Sequence, residues 1–190
     1  MDERGSMDRP IPTLPAWIAE TIDFERTYAN ADAQIALAIE LARSNVDHAS
    51  GGPFGAAVFD DKGGLIALGV NRVEPLKSSL AHAEIVALAA AQQKLGRARL
   101  NDDGRQYALA ASSQPCCQCY GAVVWAGIDA LLIAARSEDT ESLAGFDEGP
   151  LPVDWVGELE HRGIRVLRDL HRDDARAVLE AYGSRGGPRY

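Results

Sequence analysis

Two short stretches of this 190-residue chain hold residue types able to bind a metal and move protons. His82-Ala83-Glu84 opens one apolar segment, and Pro115-Cys116-Cys117-Gln118-Cys119 opens another. Cys116 and Cys119 are i and i+3, so on a helix their sulfurs share one face and can grip a single ion. A helix N-terminus also lowers the thiolate pKa, which favours metal binding near neutral pH. With His82 as third ligand, the set matches a catalytic zinc, which has three protein donors and keeps its fourth position for water. Such a site brings the pKa of that water from about 16 to near 7. Glu84 stands close to this metal but free of it, placed to take the proton. Cys117 lies about 100° around the helix from Cys116 and is expected to point elsewhere. A zinc that only staples the fold needs four protein ligands. No fourth is visible, since His48, His161 and His171 stand isolated in polar stretches and read as solvated. A bare CxxC redox pair would leave His82 and Glu84 without a role.

The rest of the composition narrows the partners. The formal net charge is −9, and no basic stripe interrupts it, so a long RNA or DNA substrate is disfavoured. All three cysteines sit together, which suits metal or redox chemistry in a reducing compartment better than a disulfide framework. No basic-then-apolar segment opens the sequence and no apolar run reaches bilayer length, so a cytoplasmic protein without membrane contact is expected. Met1 to Ser6 fit either a native start or an expression remnant ahead of Met7.

These residues need elements to carry them. Residues up to Pro15 are polar and proline-punctuated, and read as loosely ordered. Ile35, Ala38, Ile39, Ala42 and Val46 recur at helical spacing, with Leu37 and Leu41 as a second stripe, so a buried helix is expected over 31–46. Phe54 to Asp60 and Leu65 to Val70, split by Asp61-Lys62-Gly63-Gly64, read as a β-hairpin. Helices are expected over 83–95 and 116–126, and strands over 107–111 and 131–135. A helix over 155–162, a strand over 164–167 and a helix over 173–182 follow. Continuous apolar strands alternating with helices indicate a sheet covered on both faces. The chain divides into an N-terminal extension (1–30), a metal domain (31–170), and a C-terminal helix and tail (171–190).

H-x-E followed by P-C-x-x-C is a signature of zinc nucleobase deaminases. From Gly52 to Pro150 the chain resembles the cytidine deaminase-like superfamily, in its guanine deaminase and tRNA adenosine deaminase branch. The resemblance rests on Gly52-Pro53-Phe54-Gly55-Ala56, Asn71, Ala81-His82-Ala83-Glu84, Pro115-Cys116…Cys119 and Gly121-Ala122-Val123-Val124-Trp125-Ala126. It implies an α/β fold, a three-layer α/β/α sandwich around a mixed five-stranded sheet, with Zn2+ and a homodimer. It also implies hydrolytic removal of an amino group, with Glu84 passing a proton to the ring nitrogen and the departing amine.

Ala144-Gly145-Phe146-Asp147-Glu148 is similar to the Ala-Gly-Phe-Asp-Asp stretch of bacterial guanine deaminases, which implies that Glu148 is a second proton shuttle. The same resemblance makes Asn71 a hydrogen-bonding partner of the base, and Phe54, Phe146 and Trp125 walls of its pocket. Tyr190 becomes the residue that closes it. The plainer alternatives are an acidic loop for Asp147 and Glu148, a turn for Asn71, core packing for Phe54 and Trp125, and a free end for Tyr190. Gln114 stands where the family usually has Glu, and Cys117-Gln118 replace a small or apolar pair. The expected substrate is a small aminated heterocycle, guanine first and a triazine such as ammeline next. A tRNA adenosine, cytosine or cytidine deaminase is the alternative. A catalytically silent zinc-fold partner protein is a different class, and the intact Glu84 counts against it.

Overall fold

The computed structural model describes residues 13–190, and its sheet forms where apolar runs are bounded by turn residues. Strands β1 (Gly55–Asp60) and β2 (Leu65–Val70) pair antiparallel. Asp60 makes their turn by accepting the Lys62 and Gly64 N–H groups at 2.9 and 2.8 Å. Strand β3 (Tyr107–Ser113) adds antiparallel to β1, and β4 (Ala130–Ala135) and β5 (Arg165–Leu167) continue in parallel. The order is β2-β1-β3-β4-β5, a mixed sheet. Side chains alternate between faces, as a pleat of period two requires. Ala57, Phe59, Leu132 and Ala134 enter one apolar cluster, while Ala56, Val58, Leu131 and Ile133 enter the other.

Helices cover both clusters. On one face lie α1 (Trp17–Thr21), α2 (Ala31–Asp47) and, from the end of the chain, a long helix over Arg172–Ser184. Helix α2 starts where Asn30 accepts the Ala33 N–H at 2.9 Å, an N-cap that satisfies a free donor. In chain order come α3 (Val73–Leu76), α4 (Ala83–Leu95), a 3-10 turn (Leu100–Asp103) and α5 (Cys117–Ala126). Then α6 (Ser137–Asp139) runs into a π turn (Thr140–Ala144), followed by α7 (Trp155–His161) and α8, the Arg172–Ser184 helix. Helices α4, α5 and α7 cover the second face, completing three layers. Gly69 decides how close α4 comes: a Cβ there would stand 2.2 Å from the Ala83 carbonyl and 2.6 Å from the Ala87 nitrogen. The start of α4 therefore rests directly on β2.

Strand register brings the chemistry to one edge. Gly55 pairs with Val70, Ala56 with Ala111, and Ser113 with Ala135. Phe54, Asn71, Gln114 and the segment after β4 thus emerge side by side, the usual place for a site in an open α/β sheet.

Several sequence expectations shift. Cys116 is the N-cap of α5 and not its first turn. Helix α8 spans Arg172–Ser184, longer at both ends than its apolar pattern. The divisions at residues 30 and 170 do not separate packing units, because Trp17, Ile18, Ala175, Val178 and Leu179 share one core with α2. The loosely ordered start survives only as a reading of residues 1–12, which lie outside the described residues with the remnant considered at 1–6. Among the described residues no helix is long and apolar enough to cross a membrane.

Candidate active site

Helices α4 and α5 meet at their N-termini, and His82 and Cys116 are the two N-cap residues. Cys119 follows in the first turn of α5 and is fully buried. The His82 Nδ1 atom lies 3.5 Å from the Cys116 sulfur and 3.6 Å from the Cys119 sulfur. The three donor atoms all fall within 4.8 Å of one another. Zinc bonds of about 2.3 Å to sulfur and about 2.0 Å to nitrogen, at tetrahedral angles, separate the two atom types by about 3.5 Å. The residues present therefore fit a zinc ion with one open position. Cys116 is the ionised sulfur, held down to about 4 by a hydrogen bond from Cys119 and by His82, against its burial. Cys119 shares that hydrogen bond and is buried, and both effects push its thiol up. Burial opposes the charge of His82, but Cys116 and Glu84 outweigh it and raise its pKa.

Two carboxylates line one cavity together with His82 and Cys116. Glu84, in the first turn of α4, is 8% exposed, and Glu148, in the loop after the π turn, is 7% exposed. Burial raises Glu84 to about 7, with the Cys116 charge adding to it and His82 opposing. Burial likewise raises Glu148 to about 8, followed by the charges of Cys116 and Glu84. Both groups are thus poised to gain or lose a proton near neutrality. The Glu148 carbonyl accepts the Cys117 N–H at 2.9 Å, which ties this loop to the start of α5. Asp147 is exposed and accepts the Gly149 N–H at 2.8 Å, while Glu148 beside it is buried.

The remaining walls suit a flat, hydrogen-bonding ring. Asn71 fixes its Oδ1 on the Val73 N–H at 3.2 Å, and its Nδ2 is buried without a protein partner. A buried donor left unpaired is costly, which marks it as a partner for a ligand acceptor. Phe146 packs edge-on against Phe54, with ring centroids 5.0 Å apart. Tyr190 covers both, 5.1 Å from Phe146 and 6.4 Å from His82. The tail carrying it is held by Tyr182, whose hydroxyl donates to the Pro188 carbonyl at 2.7 Å.

Of the residues singled out by sequence, Phe54, Asn71, His82, Glu84 and Cys116 line this cavity with Phe146, Glu148 and Tyr190. Cys119 lies buried among the metal donors. Trp125 is a correction. It is 73% exposed and lines no part of the cavity. Cys119, Val123 and Ala126 form the buried face of α5, and Trp125 lies about 200° around from Val123. Cys117 is exposed and stays outside the metal group. His48, His161 and His171 are exposed and also stay outside it. Sequence reasoning did not place Gln114 and Asp147 in the lining. Gln114 carried a signal, its departure from the family's Glu next to Pro115.

The comparisons point the same way. Residues 29–135 match the family model of the cytidine and deoxycytidylate deaminase zinc-binding region. Guanine deaminase of Bacillus subtilis (strain 168) is 40% identical over 111 residues, covering 58% of this chain and 67% of that protein. The structure of guanine deaminase from Nitrosomonas europaea is 45% identical, covers 95% of this chain and 100% of its own, and superposes with a TM-score of 0.88. The structure of NE0047 in complex with 2,6-diaminopurine is 47% identical over 94% of each chain, with a TM-score of 0.87.

Proposed function

The chain belongs to the cytidine and deoxycytidylate deaminase zinc-binding family, and from that membership we propose that it deaminates a small aminated heterocycle, guanine before a triazine such as ammeline. The observation that carries this reading is the second buried carboxylate, Glu148, lining the same cavity as Glu84 and Asn71. His82, Cys116 and Cys119 would hold the zinc. When bound, it supplies water made nucleophilic at neutral pH and stabilises developing charge.

The chain's own groups do the rest. Asn71 offers its free Nδ2 to an acceptor on the ring, and Phe54 and Phe146 present apolar edges to its plane. Glu84 takes a proton from the attacking water and returns it to the ring nitrogen beside the carbon under attack. A carbon–oxygen bond forms there. Glu148, protonated near neutrality, gives a proton to the amine on that carbon, so the carbon–nitrogen bond breaks with ammonia as the leaving group. The hydroxyl proton left on that carbon passes back to Glu148, so the ring keeps a carbonyl and both carboxyl groups end as they began. Tyr190 and its tail close over the ring and exclude bulk water.

The test is an ammonia-release panel of guanine, ammeline, cytosine, adenine and their nucleosides, run on the zinc-loaded protein. Guanine should show the highest kcat/KM. A tenfold or greater preference for cytosine, adenine or a nucleoside overturns the substrate reading and leaves the chemistry in place.

A further inference from the structure

Asn45 lies in the last turn of α2, outside the group of metal donors, and is 0% exposed. A buried amide is costly unless its hydrogen bonds are made, and here they are made to telling partners. One nitrogen, Nδ2, donates to the Gly52 carbonyl at 2.8 Å and to the Asn71 carbonyl at 2.9 Å. Its Oδ1 accepts the Ser50 hydroxyl at 2.7 Å, and that hydroxyl oxygen accepts the Trp17 indole N–H at 2.9 Å. Arg72 closes the group by donating to the Ser50 carbonyl.

The two carbonyls belong to the neighbouring segments that carry Phe54 and Asn71 into the cavity wall. The Phe54 N–H donates to Gly52 at 2.9 Å, and the Phe54 carbonyl accepts the Asn71 N–H at 3.0 Å. A single side chain therefore spans the segment that aims Phe54 and the segment that aims Asn71. The approach is tight enough that a Cβ on Gly51 would stand 1.8 Å from the Asn71 oxygen and 2.7 Å from Asn45 Nδ2. Two carbonyl oxygens held this close repel each other unless a donor sits between them. Asn45 is that donor, and the Trp17–Ser50 pair fixes which end of its amide faces the carbonyls.

We propose that Asn45 is a positioning residue for heterocycle binding: it sets the spacing between Phe54 and Asn71, and Trp17 and Ser50 lock its orientation. Helix α1, which carries Trp17, lies outside the residues matched by the family model, so this is a contribution of the chain's flanking segment to the pocket. The inference rests on the deaminase reading above. His82, Glu84 and Cys116 stand on other elements and make no bond to Asn45. Loosening the amide should therefore weaken binding of the ring before it slows the chemistry, a change in KM with kcat kept.

Asn45→Asp keeps the shape and removes both donors. Ser50→Ala removes the lock, and Ser50→Thr restores it. Each variant is prepared zinc-loaded, its zinc content and Tm are recorded, and kcat and KM for guanine are measured well below Tm. Asn45→Asp should raise KM about tenfold or more with kcat within about threefold, and Ser50→Ala should raise KM about threefold. Ser50→Thr should return KM to the wild-type value. A KM within about twofold of wild type in both Asn45→Asp and Ser50→Ala overturns the proposal, as does a fall in kcat at unchanged KM. If Asn45→Asp does not fold, the Ser50 pair decides alone. A wild-type protein inert toward guanine overturns only the substrate reading, and the same KM comparison is then made on the panel base it does deaminate.

Discussion

In the proposed mechanism Glu84 and Glu148 divide the proton work, and both are buried and pushed toward neutrality. Glu84 must be ionised to accept a proton, so the rate should fall as pH drops through its pKa. Glu148 must be protonated to donate, so the rate should fall as pH rises through its own, and the expected profile is a bell whose limbs belong to the pair. Glu84→Ala is expected to keep zinc and fold while losing at least about 10³-fold in kcat, checked by metal analysis alongside ammonia release. Glu148→Ala is expected to lose at least about 10²-fold and to remove the alkaline limb, visible in kcat measured across pH. His82, Cys116 and Cys119, with Glu84 beside them, could be read in the sequence because metal ligation admits few residue types and demands their spacing, whereas Glu148 rested on the resemblance of the Ala144 to Glu148 stretch to a family motif. Trp125 could not, since its aromatic character says nothing about which side of α5 it occupies. Asn45 could not either, because an amide inside an apolar helical pattern shows no trace of its partners.

Helices were readable where a buried face repeats along them, as in α2, and strands where the whole run is apolar and buried, as in β4. The short pieces were not, and they matter most for the loop that bears Glu148. Helix α6 and the π turn after it are anchored by Asp139, 2% exposed, whose carboxylate accepts Arg172 at 2.7 and 2.8 Å and also pairs with Arg176. The same carboxylate accepts the Arg136 N–H at 3.0 Å. Beside it, Thr140 meets Ser113 of β3 at 2.5 Å. This knot joins α8 to the turn that leads into Phe146 and Glu148. The Arg172 pairing, then the Arg136 N–H, hold Asp139 down at about 2 against its burial. A carboxylate depressed in the folded state stabilises the fold above its ordinary pKa, and that contribution fades as pH falls through about 2. Asp139→Asn should lower Tm at pH 7 by about 5 °C or more and flatten the dependence of Tm on pH between about 4 and 2. Thermal unfolding of both proteins across that range checks it.

Across the whole molecule, the formal net charge of −9 works against phosphate-rich partners. One surface is better suited to association. Gln118 and Trp125 are seven residues apart on α5, hence on one face, and Gln118 donates to the Ser79 carbonyl at 3.3 Å. Leu80, next along, is 63% exposed. This exposed apolar pair supports the homodimer reading, with α5 at the contact. Trp125→Glu should then yield a monomer by light scattering while zinc content is kept. A variant of unchanged mass would remove α5 from the contact.

The seat of Tyr190 has a kinetic consequence. Tyr190 lines the cavity and packs against Phe146 with ring centroids 5.1 Å apart, so a bicyclic base entering beside Phe146 has to displace the tail that carries Tyr190. Association is then gated. At high concentration the observed binding rate should level off at the frequency with which the tail lifts, and the product must wait for the same event. The contact that shields the reaction from solvent would also set the pace at which the enzyme turns over.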